Sequence, residues 1–306
     1  MSWRRSWCIG QYCLEGCKAK LPIPEFDIEE AATAGAKTMV VGVVNAGGVI
    51  AENWVDALVK ALAAGMDVAS GMHSRLSDIP EVREAASNFG RQLFDIRRPD
   101  REFAIGTGAK RLGKRLLPVG TDCSVGKMYT ALAIEQEMLG RGVKADFRAT
   151  GQTGVLIAGG GIAVDAVVAD FISGAIEWLS PDNDPDHWDV IEGQGSLFHP
   201  SFAGVSLGLL HGAQPDALVL CHEPTRTHMR ALESWPLPEL SECIAANLEA
   251  ARLTNPDVRC VGASIDTSRF TEAEAEDYLR ETEAALGIVC VDPLRTGVAR
   301  IVDELV

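Results

Sequence analysis

The chain has 306 residues, 47% of them hydrophobic and 23% charged, and its formal net charge is −15. That length predicts about two domains, and the acidic balance argues against duplex nucleic acid or an anionic membrane as a main partner. No run is long and apolar enough to span a bilayer as a helix.

The opening "MSWRRSWCIG" has arginines near its start but neither an apolar core nor a small-residue cleavage site, so it does not read as a signal peptide, and a cytoplasmic protein is expected. Cys8, Cys13 and Cys17 cluster without forming a CxxC pair. A zinc or disulfide reading would need a fourth ligand or a secretory context, so reduced thiols are expected. Cys221, Cys260 and Cys290 lie in apolar runs and read as small core residues.

"KTMVVGVV" (residues 37–44) predicts a strand ending at the turn "NAGG" (Asn45 to Gly48), and "ENWVDALVKALAAG" then has helical periodicity. "DVAS" predicts a short strand, "SGMHSRLSD" (Ser70 to Asp78) a turn, and "EVREAASNFGRQL" a helix. This βαβα order puts both turns on one edge of a sheet. Asn45 and Arg75 are therefore candidates to face a ligand shared with a second domain. His73 reads as structural. The polar, basic connection 97–114 marks the boundary, giving expected domains 1–110 and 111–306.

After that connection, "RLLPV" runs into Gly120-Thr121-Asp122-Cys123-Ser124-Val125-Gly126-Lys127 and then a helical pattern. A glycine-rich turn between strand and helix aims backbone N–H groups at a ligand, the helix dipole adds positive potential, and the lysine adds a point charge. The competing reading is an ordinary glycine-rich turn. The longer spacing, with five residues between Gly120 and Gly126, is similar to the loop of dethiobiotin synthetase. Nucleotide hydrolases place a magnesium-binding hydroxyl after the lysine. Here that position is Met128, whose thioether is a poor ligand for a hard cation, and Thr130 is too far along the helix to replace it. The expectation is a loop, Gly120 to Met128, that grips a phosphate or diphosphate without metal-assisted phosphoryl transfer. Coenzyme A fits as a ligand that uses its diphosphate as a handle, and no metal is expected. Cys123 is a possible nucleophile whose thiolate a helix terminus would favour, although structural occupancy is preferred.

Further along, "KADFR" predicts a strand, and "RATGQTG" (Arg148 to Gly154) a loop presenting Thr150, Gln152 and Thr153 at the strand's end. Arg148 is either a fork for a substrate carboxylate or a surface residue. "GGGIAVDAVVADFISGAIEWL" predicts one apolar helix, in which Asp165 reads as a dipole partner and Asp170 as a further buried-acid candidate. "WDVIEG" is a buried strand that puts Glu192 at its C-terminal end, with Ser196 and His199 following. A carboxylate or imidazole there can take a proton from an amine. Otherwise Glu192 is satisfied by turn N–H groups and His199 caps a loop. "DALVLCH", "ECIAANLEAARL", "RCVGASI", "TEAEAEDYLRETEAAL" and "IVCV" continue the alternation, predicting α/β domains with mostly parallel sheets.

"VGTDCSVGKMYTAL", "RATGQTGVLIAGGGIAVDAVVADFISGA", "EGQGSLFHPSFAGVSLGLLHGAQPDALVLCHEPTR", "NAGG" and "GMHSRLSDIP" closely resemble the D-glutamate N-acetyltransferase family, formerly a domain of unknown function. The resemblance covers nearly the whole chain. It implies a Rossmann-like N-terminal domain, a P-loop-like C-terminal domain, and acetyl transfer from acetyl-CoA to the amine of D-glutamate or a related D-amino acid. The chain begins close to "CIGQYCLEGCKAKLP" and is expected to lack a strand-and-loop segment that family members usually carry there.

The expected mechanism has Gly120 to Lys127 anchoring coenzyme A, Arg75 or Arg148 pairing with substrate carboxylates, and Glu192 taking the ammonium proton. His199 is the alternative base, and N–H groups near Gly193 or Gly154 would meet the oxyanion. The other readings are an ATP-dependent carboxylate–amine ligase like dethiobiotin synthetase and a non-catalytic coenzyme A or nucleotide sensor. The partner expected is a small molecule, in a homo-oligomer.

Overall fold

The structure is a computed structural model that describes residues 3–43, 45, 47–99 and 101–306. The chain divides into two compact units, Met1–Pro99 and Asp100–Val306.

In the first unit a parallel sheet is formed by β1 (Thr38–Val40), β2 (Asp67–Ser70) and β3 (Leu93–Asp95), in that order. Helices α1 (Ile28–Thr33), α2 (Glu52–Ala63) and α3 (Pro80–Phe89) accompany it. The apolar stripe of α2, Leu58, Ala61 and Leu62, packs with Val68, Leu76 and Val82 into one core. Pro80 starts α3, where its missing N–H costs nothing, and Gly90 ends it at φ +62°. The expected strand 37–44 is shorter than predicted, with only Thr38–Val40 in the ladder. Val44 and Ala46, which the expected strand and the "NAGG" turn include, lie outside the described residues.

The second unit is built on β4 (Lys114–Gly120), β5 (Ala145–Arg148), β6 (Trp188–Ile191), β7 (Ala217–His222), β10 (Arg259–Ile265) and β11 (Cys290–Val291). They form one parallel sheet in the order β11-β10-β7-β4-β6-β5. Its helices are α4 (Lys127–Gly140), α5 (Gln152–Ala158), α6 (Ile172–Leu179), α7 (Ala203–Ala213), α8 (Leu240–Ala251), α9 (Glu272–Leu286) and α10 (Ala299–Asp303), and β8 (His228–Met229) pairs antiparallel with β9 (Leu232–Pro236). Alternation along the strands covers both faces of the sheet. Leu117, Val119, Ile191, Leu218 and Leu220 pack with Ile176 of α6 and Leu209 of α7. On the other face Leu116, Val190, Val219 and Val261 pack with Ile134 and Met138 of α4 and Ile301 of α10. Each such buried aliphatic side chain contributes roughly 1.5–3 kcal/mol. Continuous apolar strands are what a sheet buried on both sides requires.

The single helix expected over residues 159–179 is not formed. Gly159 ends α5 at φ +78° and Gly161 sits at φ +142°. Ile162 N–H then donates to the Ala149 carbonyl, and Val164 N–H to that of Thr150. Two short 3-10 turns, Val164–Ala166 and Ala169–Phe171, precede α6. Valine-rich sequence gives up little in leaving a helix, and the backbone bonds to Ala149 and Thr150 decide the outcome. Asp165 and Asp170 therefore belong to these turns rather than to a helix. Among the described residues no helix is long and apolar enough to cross a membrane.

Candidate functional site

Because the large sheet is parallel, the loops after β4, β5, β6 and β7 open on one edge. The central strand β4 lies between β6 and β7, so the chain builds β5 and β6 on one side of it and then switches to the other side for β7, β10 and β11. Ligands of open α/β sheets bind at this kind of crevice.

The loop after β4 is held both by its own residues and by residues from neighbouring loops. Gly126 caps α4 at φ +93° and no side chain caps the helix, which leaves the first-turn N–H groups without intrahelical acceptors. Lys127 is buried, and its Nζ donates to the Asp122 carbonyl at 2.7 Å. Burial lowers its pKa. The Thr121 hydroxyl meets His222 Nδ1 at 3.0 Å, and burial brings that imidazole down to about 4. Thr130 lies within the core against Ser264, at 2.7 Å, and offers nothing to the loop.

Asp122 was expected to contact the ligand, but its carboxylate is fully buried and turned inward. It accepts from Cys123 N–H at 2.6 Å, from Arg226 Nη1 at 2.6 Å and from Arg230 N–H at 2.7 Å. Arg226 also donates to the carbonyls of Cys123 and Ser124, and Arg230 Nη1 to Ser124 Oγ. Reasoning from sequence missed both arginines. The signal available was "HEPTRTHMR" directly after a buried strand, two cations four residues apart at the ligand-facing edge. Burial raises the Cys123 thiol, the opposite of the thiolate stabilisation expected from its place before a helix.

Glu192 leaves β6 into the interior. Its Oε2 accepts from Thr150 N–H at 2.9 Å and Gly151 N–H at 3.0 Å, and the Gln194 amide donates to the carboxyl as well. The Thr150 hydroxyl donates to the Glu192 carbonyl at 2.6 Å. Two glycines make the placement possible. A Cβ at Gly154 would stand 2.2 Å from Glu192 Oε2, and one at Gly193 would stand 1.7 Å from the Pro118 carbonyl oxygen. Burial raises the carboxyl to about 7, against the opposing pull of the Thr150, Gly151 and Gln194 donors and the charge of Lys127. A buried acid near neutrality is suited to accept and release protons.

The other expected residues are placed differently. Arg148 is turned back along its strand, with Nε on Asp189 at 2.7 Å and Nη2 on Asp146 at 3.2 Å, so it does not present a fork at the loop edge. Asp146 and Asp189 lie opposite each other in register, which sets up that pairing. Gln152 and Thr153 open α5, where a loop was expected. His199 is buried: its Nδ1 accepts from Ser201 N–H at 3.2 Å, leaving Nε2 to donate to the Arg230 carbonyl at 3.2 Å. A neutral imidazole bonded at both nitrogens has no free lone pair for a substrate proton. Asp122, Cys123 and His199 come close enough together to suggest a metal, yet Asp122 is paired with arginine and both His199 nitrogens are occupied. The Ser196 hydroxyl donates to the Thr121 carbonyl at 3.2 Å and ties the loop after β6 to the loop after β4. In the first unit Asn45 closes its own turn through Val49, at 2.8 and 2.9 Å, and Arg75 and His73 are exposed.

Comparison with known proteins agrees with this architecture. Profiles of two domains of unknown function match the chain, the Rossmann-like DUF1611_N over residues 10–99 and the P-loop DUF1611_C over residues 102–302. A D-glutamate N-acetyltransferase of Tritonibacter scottomollicae is 54% identical, over 99% of this chain and 91% of its own. One from Pseudoalteromonas sp is 50% identical over the same shares. A crystal structure of a DUF1611 family protein from Anabaena variabilis is similar at a TM-score of 0.86 and 33% identity, covering 92% of this chain and 84% of that one. The chain belongs to the D-glutamate N-acetyltransferase family.

Proposed function

From that membership, we propose that the protein is an acyltransferase that moves acetyl from acetyl-CoA to the amine of D-glutamate or a related D-amino acid. The loop Gly120 to Lys127 holds the donor's phosphates, and Glu192 is the general base. In the reaction the substrate ammonium gives a proton to the Glu192 carboxylate. The free amine then attacks the thioester carbonyl, and the C–N bond forms as the C–S bond breaks. The nitrogen's second proton passes to the departing sulfur, so coenzyme A leaves as the thiol. Metal is not needed for this step, because no γ-phosphoryl group is transferred and the loop carries Met128 where a magnesium hydroxyl would stand.

The observation that carries this reading is the buried Glu192 carboxyl, raised to about 7 and linked to the loop by the charge of Lys127. A structural glutamate fully ionised at the surface would have no such proton affinity. The test is to incubate the protein with acetyl-CoA and D-glutamate, with and without ATP and magnesium, and follow free thiol. Thiol release that ignores ATP is the expected result. Amide formation that requires ATP hydrolysis would replace this reading with a ligase, and binding without turnover would replace it with a sensor.

A further inference from the structure

Met128 leaves the phosphate loop with a charge shortfall. A diphosphate is multiply anionic, whereas a helix N-terminus supplies only about half a positive charge. Lys127 adds one more, and burial works against it. A phosphate site without a metal therefore needs another cation at its mouth.

Two arginines stand there, and they are not equivalent. Arg226 has its guanidinium engaged by Asp122, at 2.6 Å, and by the carbonyls of Cys123 and Ser124, at 2.7 and 3.1 Å. It fixes the loop's shape. Arg230 is held through its backbone instead, by Asp122 Oδ2 on its N–H and by His199 Nε2 on its carbonyl, while the residue itself is exposed. Its guanidinium lies on the Ser124 hydroxyl at the loop's apex.

The backbone around this contact is unusual. Arg230 and Ala231 make the two-residue turn of the β8–β9 hairpin, between the paired Met229 and Leu232. Ala231 has φ +64° and Ser124 φ +54°, so two of the three non-glycine residues with positive φ among the described residues meet at one arginine. Left-handed backbone costs energy for a residue with a Cβ and persists where its surroundings over-determine it, commonly at ligand clamps.

We infer that Arg230 is the second cation of the phosphate site, presented by the hairpin tip, and that it neutralises a diphosphate where other loops of this type use a metal ion. This rests on the reading of the loop as the donor's phosphate site. Asp122 and His199, expected from sequence to contact ligand or substrate, are positioning residues that act through Arg230.

The test is calorimetric titration of wild type, Arg230→Gln and Arg230→Lys with coenzyme A, with inorganic pyrophosphate, and with phosphate-free S-acetyl pantetheine, over a range of salt. Arg230→Gln should weaken coenzyme A and pyrophosphate by about tenfold to a hundredfold, as expected for a lost charge-assisted bond. It should also flatten the salt dependence of binding and leave the pantetheine result unchanged, with Arg230→Lys in between. Unaltered melting of the Gln variant would exclude a merely structural role for this exposed side chain. Wild-type affinity for both phosphate ligands in Arg230→Gln would overturn the inference while leaving the donor reading intact. If wild type binds pyrophosphate but not coenzyme A, the donor reading fails and the pyrophosphate series still decides Arg230. No binding of either ligand by wild type would overturn both.

Discussion

Two helix starts lie on the same edge of the large sheet, and they are furnished in opposite ways. Before α5, the N–H groups of Thr150 and Gly151 are taken by the protein's own carboxylate, Glu192, at 2.9 and 3.0 Å. At α4, the N-cap Gly126 has no side chain to cap the helix. The loop's own carboxylate, Asp122, is turned onto Arg226 and the N–H groups of Cys123 and Arg230, leaving Lys127 and the Arg230 guanidinium as the cations beside the helix start. The first place becomes a buried acid with its proton affinity raised; the second becomes a nest that favours an anion from outside. One backbone feature thus serves two ends, and a single acidic side chain decides which. The following substitutions either abolish that contrast or make it sharper.

The largest effect is expected at Glu192. Glu192→Gln keeps the shape and the hydrogen bonds to Thr150 and Gly151 but cannot accept a proton, so turnover should fall by about 10²–10⁴-fold. Coenzyme A binding should stay near normal. In the wild type, turnover should rise with pH through about 7 as the carboxyl ionises, and that rise should be absent from the residual activity of the variant. Stability should move the other way. The folded carboxyl holds its proton to about 7 against an ordinary 4.5, so the native state binds more protons than the unfolded chain between these values. Stability contributed here should therefore decline as pH rises from 4.5 to 7, by about 3 kcal/mol at a conversion of about 1.4 kcal/mol per pH unit. Denaturant melts of wild type and Glu192→Gln across that window measure the difference. A pH-independent difference would show that the raised proton affinity is not real.

At the opposite helix start, Lys127→Ala should weaken coenzyme A binding by about 1–3 kcal/mol, the range for a lost charged hydrogen bond. The pH dependence of Glu192 should persist. Unchanged coenzyme A affinity in a folded variant would remove the phosphate role from the loop. Gly154→Ala tests the geometry between these extremes. Its Cβ would collide with Glu192 Oε2 at 2.2 Å, and overpacking of this kind costs about 1–3 kcal/mol. Turnover should drop together with stability. A variant as active and as stable as wild type would mean that the carboxylate has room to move and is not held where it is seen.

Much of this contrast is legible in the sequence. The apolar strand ending in glycine, the loop of fixed spacing and the lysine announce the helix start at α4, and "WDVIEG" places Glu192 at a strand end. What sequence does not reveal is which partner each charge finds. Arg148 and Asp146 face the same way on β5 because side chains alternate, and only the register with β6 brings Asp189 opposite Asp146 and within reach of Arg148. His199 looks like a base until Ser201 and the Arg230 carbonyl are seen to occupy both its nitrogens. Arg226 and Arg230 lie about a hundred residues from the loop they hold, a separation no local pattern reports. The broken helix at 159–179 is a similar case. Its apolar residues suit a helix, but its backbone bonds go to Ala149 and Thr150.

The smallest effect should come from Cys123, and it tests whether the two helix starts really divide the labour. A thiol just before a helix invites a ping-pong route, in which acetyl first passes to sulfur and then to the amine. The structure argues against this on two counts. Burial raises the Cys123 pKa, outweighing the help of Lys127, Arg230 and Arg226, so little thiolate is present at neutral pH. The proposed base, Glu192, belongs to the other helix start and has its carboxyl directed to Thr150 and Gly151 rather than to the sulfur. Cys123→Ala should therefore retain most of the wild-type turnover, with coenzyme A affinity changed by less than about 1 kcal/mol, since the loop's donors are backbone and lysine. Mass spectrometry after exposure to acetyl-CoA alone should find no acetyl on Cys123. An acetylated Cys123 that D-glutamate discharges would join the two sites in one covalent relay and remove the contrast between them.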